Sequence, residues 1–123
     1  MKDIEQRWDI SSKTGKGVVG GRCTEIAVTE FRNKYFIIIT DCGKIGSMVQ
    51  VQMENSSGET ICNSKVLFGI DKPEVLAVAS SLAEICKFRK TVVFGLSLKL
   101  YSGQTVKELK DLLIEVIGAE QST

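Results

Sequence analysis

Tyr35-Phe36-Ile37-Ile38-Ile39-Thr40, then Asp41-Cys42-Gly43-Lys44-Ile45-Gly46, then Met48-Val49-Gln50-Val51-Gln52-Met53: this stretch decides the fold. Its first part is apolar at every position up to Ile39. A strand of that kind is buried on both faces and belongs at the centre of a sheet. Its last part alternates, with Val49, Val51 and Met53 facing one way and Gln50 and Gln52 the other. Alternation marks a strand with one dry and one wet face. The short glycine-bearing segment between them, from Cys42 to Gly46, predicts a compact hairpin connection.

Working outward, short strand-like runs continue on both sides. Upstream, Ile10 to Val19 is weak and polar, as an edge strand is. Gly20-Gly21 marks a turn, and Arg22 to Phe31 carries Ile26 and Val28 on one face. Asn33-Lys34 makes the next connection. Downstream, Asn55-Ser56-Ser57-Gly58 predicts a hairpin loop and Ile61 to Phe68 a fifth strand. A helix then opens with Asp71 as its cap and Pro73 and Glu74 in its first turn. It runs to about Lys87, and Lys87, Arg89 and Lys90 gather at its negative end. Thr91 to Leu100 reads as a strand with Val92, Phe94, Leu96 and Leu98 on one side. Thr105-x-x-Glu108 is a capping box for a last helix ending near Gly118. The order is β-β-β-β-β-α-β-α. It predicts an α+β fold: an antiparallel sheet of about six strands, with two helices packed late in the chain. Residues 1–9, including Trp8, read as a loose N-terminal tail, 10–118 as a single domain, and 119–123 as a C-terminal tail.

Composition removes several classes of function. The chain has 123 residues, 16 basic and 15 acidic, for a net charge of +1. That balance gives no electrostatic footprint for nucleic acid or an anionic membrane. No apolar run is long enough to span a bilayer, and the N-terminus lacks the apolar core of a signal peptide. The four cysteines, at 23, 42, 62 and 86, form no C-x-x-C pair. A protein of the cytoplasm, and also of the nucleus, with reduced thiols is expected. There is no histidine, so the commonest general base and metal ligand is missing. Gly15-Lys16 and Gly43-Lys44 lack the rest of a phosphate-loop pattern and are read as turn-forming glycines. No metal, cofactor or catalytic residue is expected. The one thiol to weigh is Cys42, where Lys44 would lower the pKa and Asp41 raise it. Cys62 and Cys86 fit apolar patterns as small core fillers.

Apolar surface is in excess instead. On the first helix, Val75, Leu76, Val78, Ala79, Leu82, Ala83, Ile85 and Cys86 cover about half the circumference. That is wider than one sheet needs. Either the helix touches both its sheet and a partner subunit, or it lies deep between the sheet and the last helix. Val75, Val78, Leu82 and Ile85 are therefore candidate dimer residues, with Lys44 and Ile45 as candidate loop contacts. The doubly apolar central strand argues similarly. Two helices on one face leave the other face open, unless the sheet curls or a partner packs there.

Three stretches in order carry a family resemblance: Phe36-Ile-Ile-Ile-Thr-Asp-Cys-Gly-Lys-Ile-Gly-Ser-Met-Val49, Lys65-Val-Leu-Phe-Gly-Ile-Asp-Lys-Pro-Glu74, and the closing strand–helix unit from Thr91 to Ile117. Together they resemble the proteasome assembly chaperone 3 family, over about residues 10 to 117. The family pattern has aliphatic residues ending in Thr, a Gly-Lys-x-Gly turn (Gly43 to Gly46 here), and Lys-Val-Leu-x-Gly-x-Asp-x-Pro (Lys65 to Pro73). The resemblance implies a small chaperone without ATPase activity and without cofactor. It implies pairing with itself or with the related proteasome assembly chaperone 4. It also implies binding to a proteasome alpha-type subunit while the alpha ring of the core particle assembles. Two other readings stand beside it: a generic small dimeric adaptor, and a thiol enzyme using Cys42.

Overall fold

The computed structural model describes residues 11–56, 58–69 and 71–118. The expected tails, with Trp8, lie outside them. Five strands come first: β1 (Ser11–Val19), β2 (Arg22–Glu30), β3 (Lys34–Thr40), β4 (Ser47–Ser56) and β5 (Glu59–Gly69). Helix α1 (Pro73–Ile85), strand β6 (Thr91–Ser97) and helix α2 (Gly103–Gly118) follow. The order is the one the sequence predicts.

The strands form one sheet in the order β1-β2-β3-β6-β4-β5. It is mostly antiparallel, but β3 and β6 run parallel, with Ile37 beside Phe94 and Ile39 beside Leu96. The segment after β3 is therefore not a hairpin. β6 inserts between β3 and β4, and the 41–46 loop straddles its end. That loop bonds to the strand it crosses: Asp41 N–H donates to Ser97 O at 3.0 Å and Gly46 N–H to Leu96 O at 3.1 Å. β6 takes the centre because Val92, Phe94 and Leu96 are fully buried on one face, and Gly95 is buried on the other.

Both helices cover the same face. α1 lies over β4, β5 and β6, α2 over β1 and β2, and the two touch. Beneath them a row of side chains crosses the sheet from Val28 through Ile37, Phe94 and Val49 to Val66. Each large side chain buried there contributes about 1.5–3 kcal/mol by leaving water. α2 approaches β1 closely because that strand carries glycine where the helix rests. A Cβ on Gly15 would collide with Val116, and one on Gly17 would lie 2.9 Å from Leu112 Cδ1. Both glycines are packing devices within a strand, and Gly15 is thus not the turn former expected. Gly43 does sit in a turn, with φ +76°. At Gly20-Gly21 both φ values are positive, which suits a tight hairpin of the twist-matched kind.

The helix ends differ from expectation. Lys72, not Asp71, is the N-cap of α1, and no side chain caps it. Pro73 at the first position tolerates this because it has no N–H to satisfy. α2 begins a turn earlier than the Thr105–Glu108 box implied. Ser102 Oγ accepts from Thr105 N–H at 3.2 Å, while Thr105 itself is buried. Glu108 is used elsewhere: its carboxylate accepts from Gly20 N–H at 3.0 Å and ties α2 to the β1–β2 turn.

Candidate partner-binding surfaces

Of the six candidate contact residues, three lie inside. Val75, Val78 and Leu82 are at most 3% exposed in the protein's own core. The wide apolar stripe of α1 is consumed by the sheet on one side and α2 on the other, so these three have no accessible area to offer a partner. Ile85, Lys44 and Ile45 are exposed. Ile85 ends α1, whereas Lys44 and Ile45 sit in the loop that crosses β6. The six are not one patch.

A surface that the candidate list left out is the sheet face opposite the helices. Register places Ala27 beside Ile38, Ile38 beside Gly95, Gly95 beside Met48 and Met48 beside Phe68. This apolar row crosses five strands, and no described helix or strand lies over it. Phe68 is 66% exposed at one end of it. Ile45 folds back over the middle, its Cγ2 only 3.3 Å from where a Gly95 Cβ would stand. Phe36 and Val93 lie next to each other in the adjacent row. Polar residues border the strip: Glu25 and Thr40 on one side, Gln50 and Lys65 on the other. An apolar centre with a polar margin is the anatomy of a protein interface. The doubly apolar strand Tyr35 to Ile39 carried the signal for this surface. The signal for Met48 and Phe68 was weaker, because alternation alone assigns them to a wet face.

Cys42 is exposed at the carboxyl end of β3. Its Sγ lies 3.2 Å from Ser97 Oγ and 3.7 Å from Thr40 Oγ1. The Ser97 hydroxyl, then Thr40 and the Lys44 backbone N–H, lower its pKa, against a raising influence from Asp41. Hydroxyls and a backbone dipole do this work, where an ammonium was expected. Asp41 is already engaged: its Oδ2 accepts from Arg22 Nε at 3.1 Å and from Lys99 N–H at 2.9 Å. Cys62 and Cys86 are partly buried against the core, as expected of fillers.

The opposite end of β3 holds an aromatic pair. Tyr35 and Phe88 have ring centroids 4.8 Å apart, and Lys90 Nζ lies 5.1 Å from the Tyr35 centroid. Lys90 also donates to Glu30 at 2.6 Å and to Phe31 O at 3.0 Å. Just before it, α1 ends in a Schellman motif. Phe88 N–H donates to Ala83 O at 3.3 Å and Lys87 N–H to Glu84 O at 3.2 Å. The motif places Lys87 at φ 55°, the one non-glycine residue with positive φ among those described. A left-handed residue with a Cβ costs about 1–2 kcal/mol, which glycine would avoid.

The class defined so far is a small α+β protein with two helices on one sheet face and an apolar strip on the other. The chain belongs to the proteasome assembly chaperone 3 family, whose sequence profile matches residues 37–116. It is 27% identical over 110 residues to proteasome assembly chaperone 3 of Bos taurus, covering 85% of this chain and 90% of that protein. It is 24% identical over 116 residues to the Mus musculus protein of the same name, covering 89% and 95%. Among solved structures, a chain from a chaperone complex for yeast 20S proteasome assembly superposes with a TM-score of 0.70 at 13% identity. That match spans 86% of this chain and 98% of the yeast one, and it establishes likeness of fold.

Proposed function

We propose that this protein is a non-catalytic chaperone that promotes assembly of the proteasome core particle's alpha ring. It works as a homodimer or as a heterodimer with proteasome assembly chaperone 4, in the cytoplasm and the nucleus. The observation that carries the reading is the uncovered apolar row from Ala27 to Phe68, in a chain of this family. A strip of that kind stays soluble by being covered, and a second sheet of similar twist is a natural cover. The dimer then presents a fixed outer surface to one alpha-type subunit. The charged rim of that surface sets register and excludes wrong neighbours, while Ile45, which lies over Gly95, and Lys44 beside it join the dimer contact. The absence of histidine and the engagement of Asp41 by Arg22 and Lys99 favour binding over chemistry.

Two measurements test this. Sedimentation equilibrium, alone and with a chaperone 4 counterpart, is expected to detect a dimer at micromolar concentration; a monomer under both conditions overturns the pairing. Affinity capture from cell extract followed by mass spectrometry is expected to recover alpha-type proteasome subunits. Recovery of unrelated complexes without them would favour the generic adaptor instead.

A further inference from the structure

The carboxyl ends of α1 and α2 meet near the start of β3 and enclose a cleft of about 400 Å³. Tyr35, Phe88, Ile114 and Ile117 give it an apolar floor. Lys87, Arg89 and Lys90 supply its charges, and no carboxylate is among the residues lining it. Its volume lies at the small end of the range for ligand-sized clefts.

The cations are not all committed within the fold. Lys90 is neutralised by Glu30. The negative ends of the two helices are also answered internally: Lys13 Nζ donates to Ile117 O at 2.7 Å, and the Schellman bonds take the last carbonyls of α1. That leaves Lys87 and Arg89, both exposed and without an ion pair among the described residues. Lys87 holds its place against backbone preference, since glycine suits φ 55° better. Ile114 is 47% exposed beside them. An apolar floor with two outward cations and no carboxylate among its lining residues, Glu30 being already bound to Lys90, complements a ligand that is apolar in the middle and anionic at its edges.

We propose that this cleft docks a segment of a partner protein in which one large apolar side chain is flanked by carboxylates. The side chain rests on Ile114, Ile117 and the Tyr35–Phe88 pair, and the carboxylates reach Lys87 and Arg89. Charge complementarity of this type fixes orientation and speeds encounter. The proposal deepens the protein-binding reading but uses the helix ends, not the open sheet face. A substitution that breaks the dimer therefore leaves this site intact, and the two ideas fail separately.

The test uses the full chain and a fluorescein-labelled peptide, Glu-Asp-Leu-Phe-Asp-Glu, followed by anisotropy. Saturable binding is expected well below about 1 mM, weakening as salt rises. Lys87→Gly together with Arg89→Ala is expected to weaken it about tenfold or more. Glycine at 87 suits the backbone, so the variant keeps its fold, which circular dichroism checks. Ile114→Asp is expected to weaken it similarly, and a Gln/Asn version of the peptide should bind about tenfold less tightly. Equal binding by the double variant or by the neutral peptide overturns the proposal. So does binding that appears only after residues 119–123 are removed, which would make the chain's own end the occupant. Loss of dimer in the Ile114→Asp variant would make a second copy the occupant, and would overturn it too.

Discussion

Ile38 and Gly95 lie side by side in the parallel β3–β6 pairing, on the sheet face that the helices leave bare. Side chains flank the glycine on both sides, Met48 being its neighbour on β4. Phe68 closes the same row at the edge strand and is mostly exposed. Phe68→Lys is expected to raise the dissociation constant of the proposed dimer about tenfold or more while leaving the monomer's stability within about 0.5 kcal/mol. Sedimentation equilibrium reads the first and urea unfolding at low concentration the second.

Gly15 and Gly17 make separable demands. The neighbour of Gly15 is the stiff, buried Val116, while that of Gly17 is the flexible end of Leu112. Alanine in a strand otherwise gains a little by restricting the unfolded chain. Gly15→Ala is expected to destabilise by about 1–3 kcal/mol through overpacking. Gly17→Ala should lie within about 1 kcal/mol of the parent. Urea midpoints that reverse this order would show that α2 is not held against β1 as described.

Phe94 is fully buried at the sheet centre, between Ile37 and Val49. Phe94→Ala is expected to cost about 3–5 kcal/mol. Equilibrium unfolding checks this.

Stability should fall at both ends of the pH range. Burial raises the pKa of Tyr35 and of Tyr101 above the ordinary 10.0. Above pH 10 the unfolded chain loses those protons while the folded one retains them. The tyrosine contribution is thus complete below pH 10 and is lost as pH rises through the higher folded values. Glu30 behaves oppositely: the hydrogen bond from Lys90 holds its carboxyl below the ordinary 4.5. Its contribution is present above pH 4.5 and is lost as pH falls through the lowered value. It is small, because the Glu30 side chain is 40% exposed. Urea unfolding across pH 3 to 11 measures both, and Tyr35→Phe should flatten the alkaline limb.

Cys42 and Cys86 are expected to react at different rates. The Ser97 and Thr40 hydroxyls lower the pKa of the exposed Cys42, whereas burial raises that of Cys86. Alkylation by iodoacetamide at neutral pH should modify Cys42 faster than an unstructured cysteine peptide, and Cys86 more slowly. Ser97→Ala should slow Cys42. Labelling of Cys42 no faster than the peptide would remove the last support for a thiol enzyme.

Element order and type were legible because periodicity and turn residues are local properties. Which strand neighbours which was not. Alternation says which way Val49 and Phe94 face but not that they are cross-strand partners, and the 41–46 loop looks the same whether it turns back or steps over a strand. The apolar circumference of α1 was legible too, yet the sequence could not say whether α2 or a partner covers it. The structure puts α2 there and moves the unpaired apolar surface to the sheet. Gly15 was misread because a helix resting on a strand leaves no mark in the strand's own pattern. Lys87 gave no signal, since left-handed helix ends are ordinarily announced by glycine.

The insertion of β6 has a consequence for how the molecule comes into being. Strands β1 to β5, from Ser11 to Gly69, supply a three-stranded meander and a separate hairpin, and among the described residues no strand pairs with both until Thr91 to Ser97 has been made. Until then β3 and β4 each present an open edge, one of them aliphatic from Ile37 to Ile39. Non-local pairing of this kind is slow, and such edges invite association with other chains. A member of an assembly-chaperone family thus has, while its own chain is still incomplete, an unfinished sheet to protect.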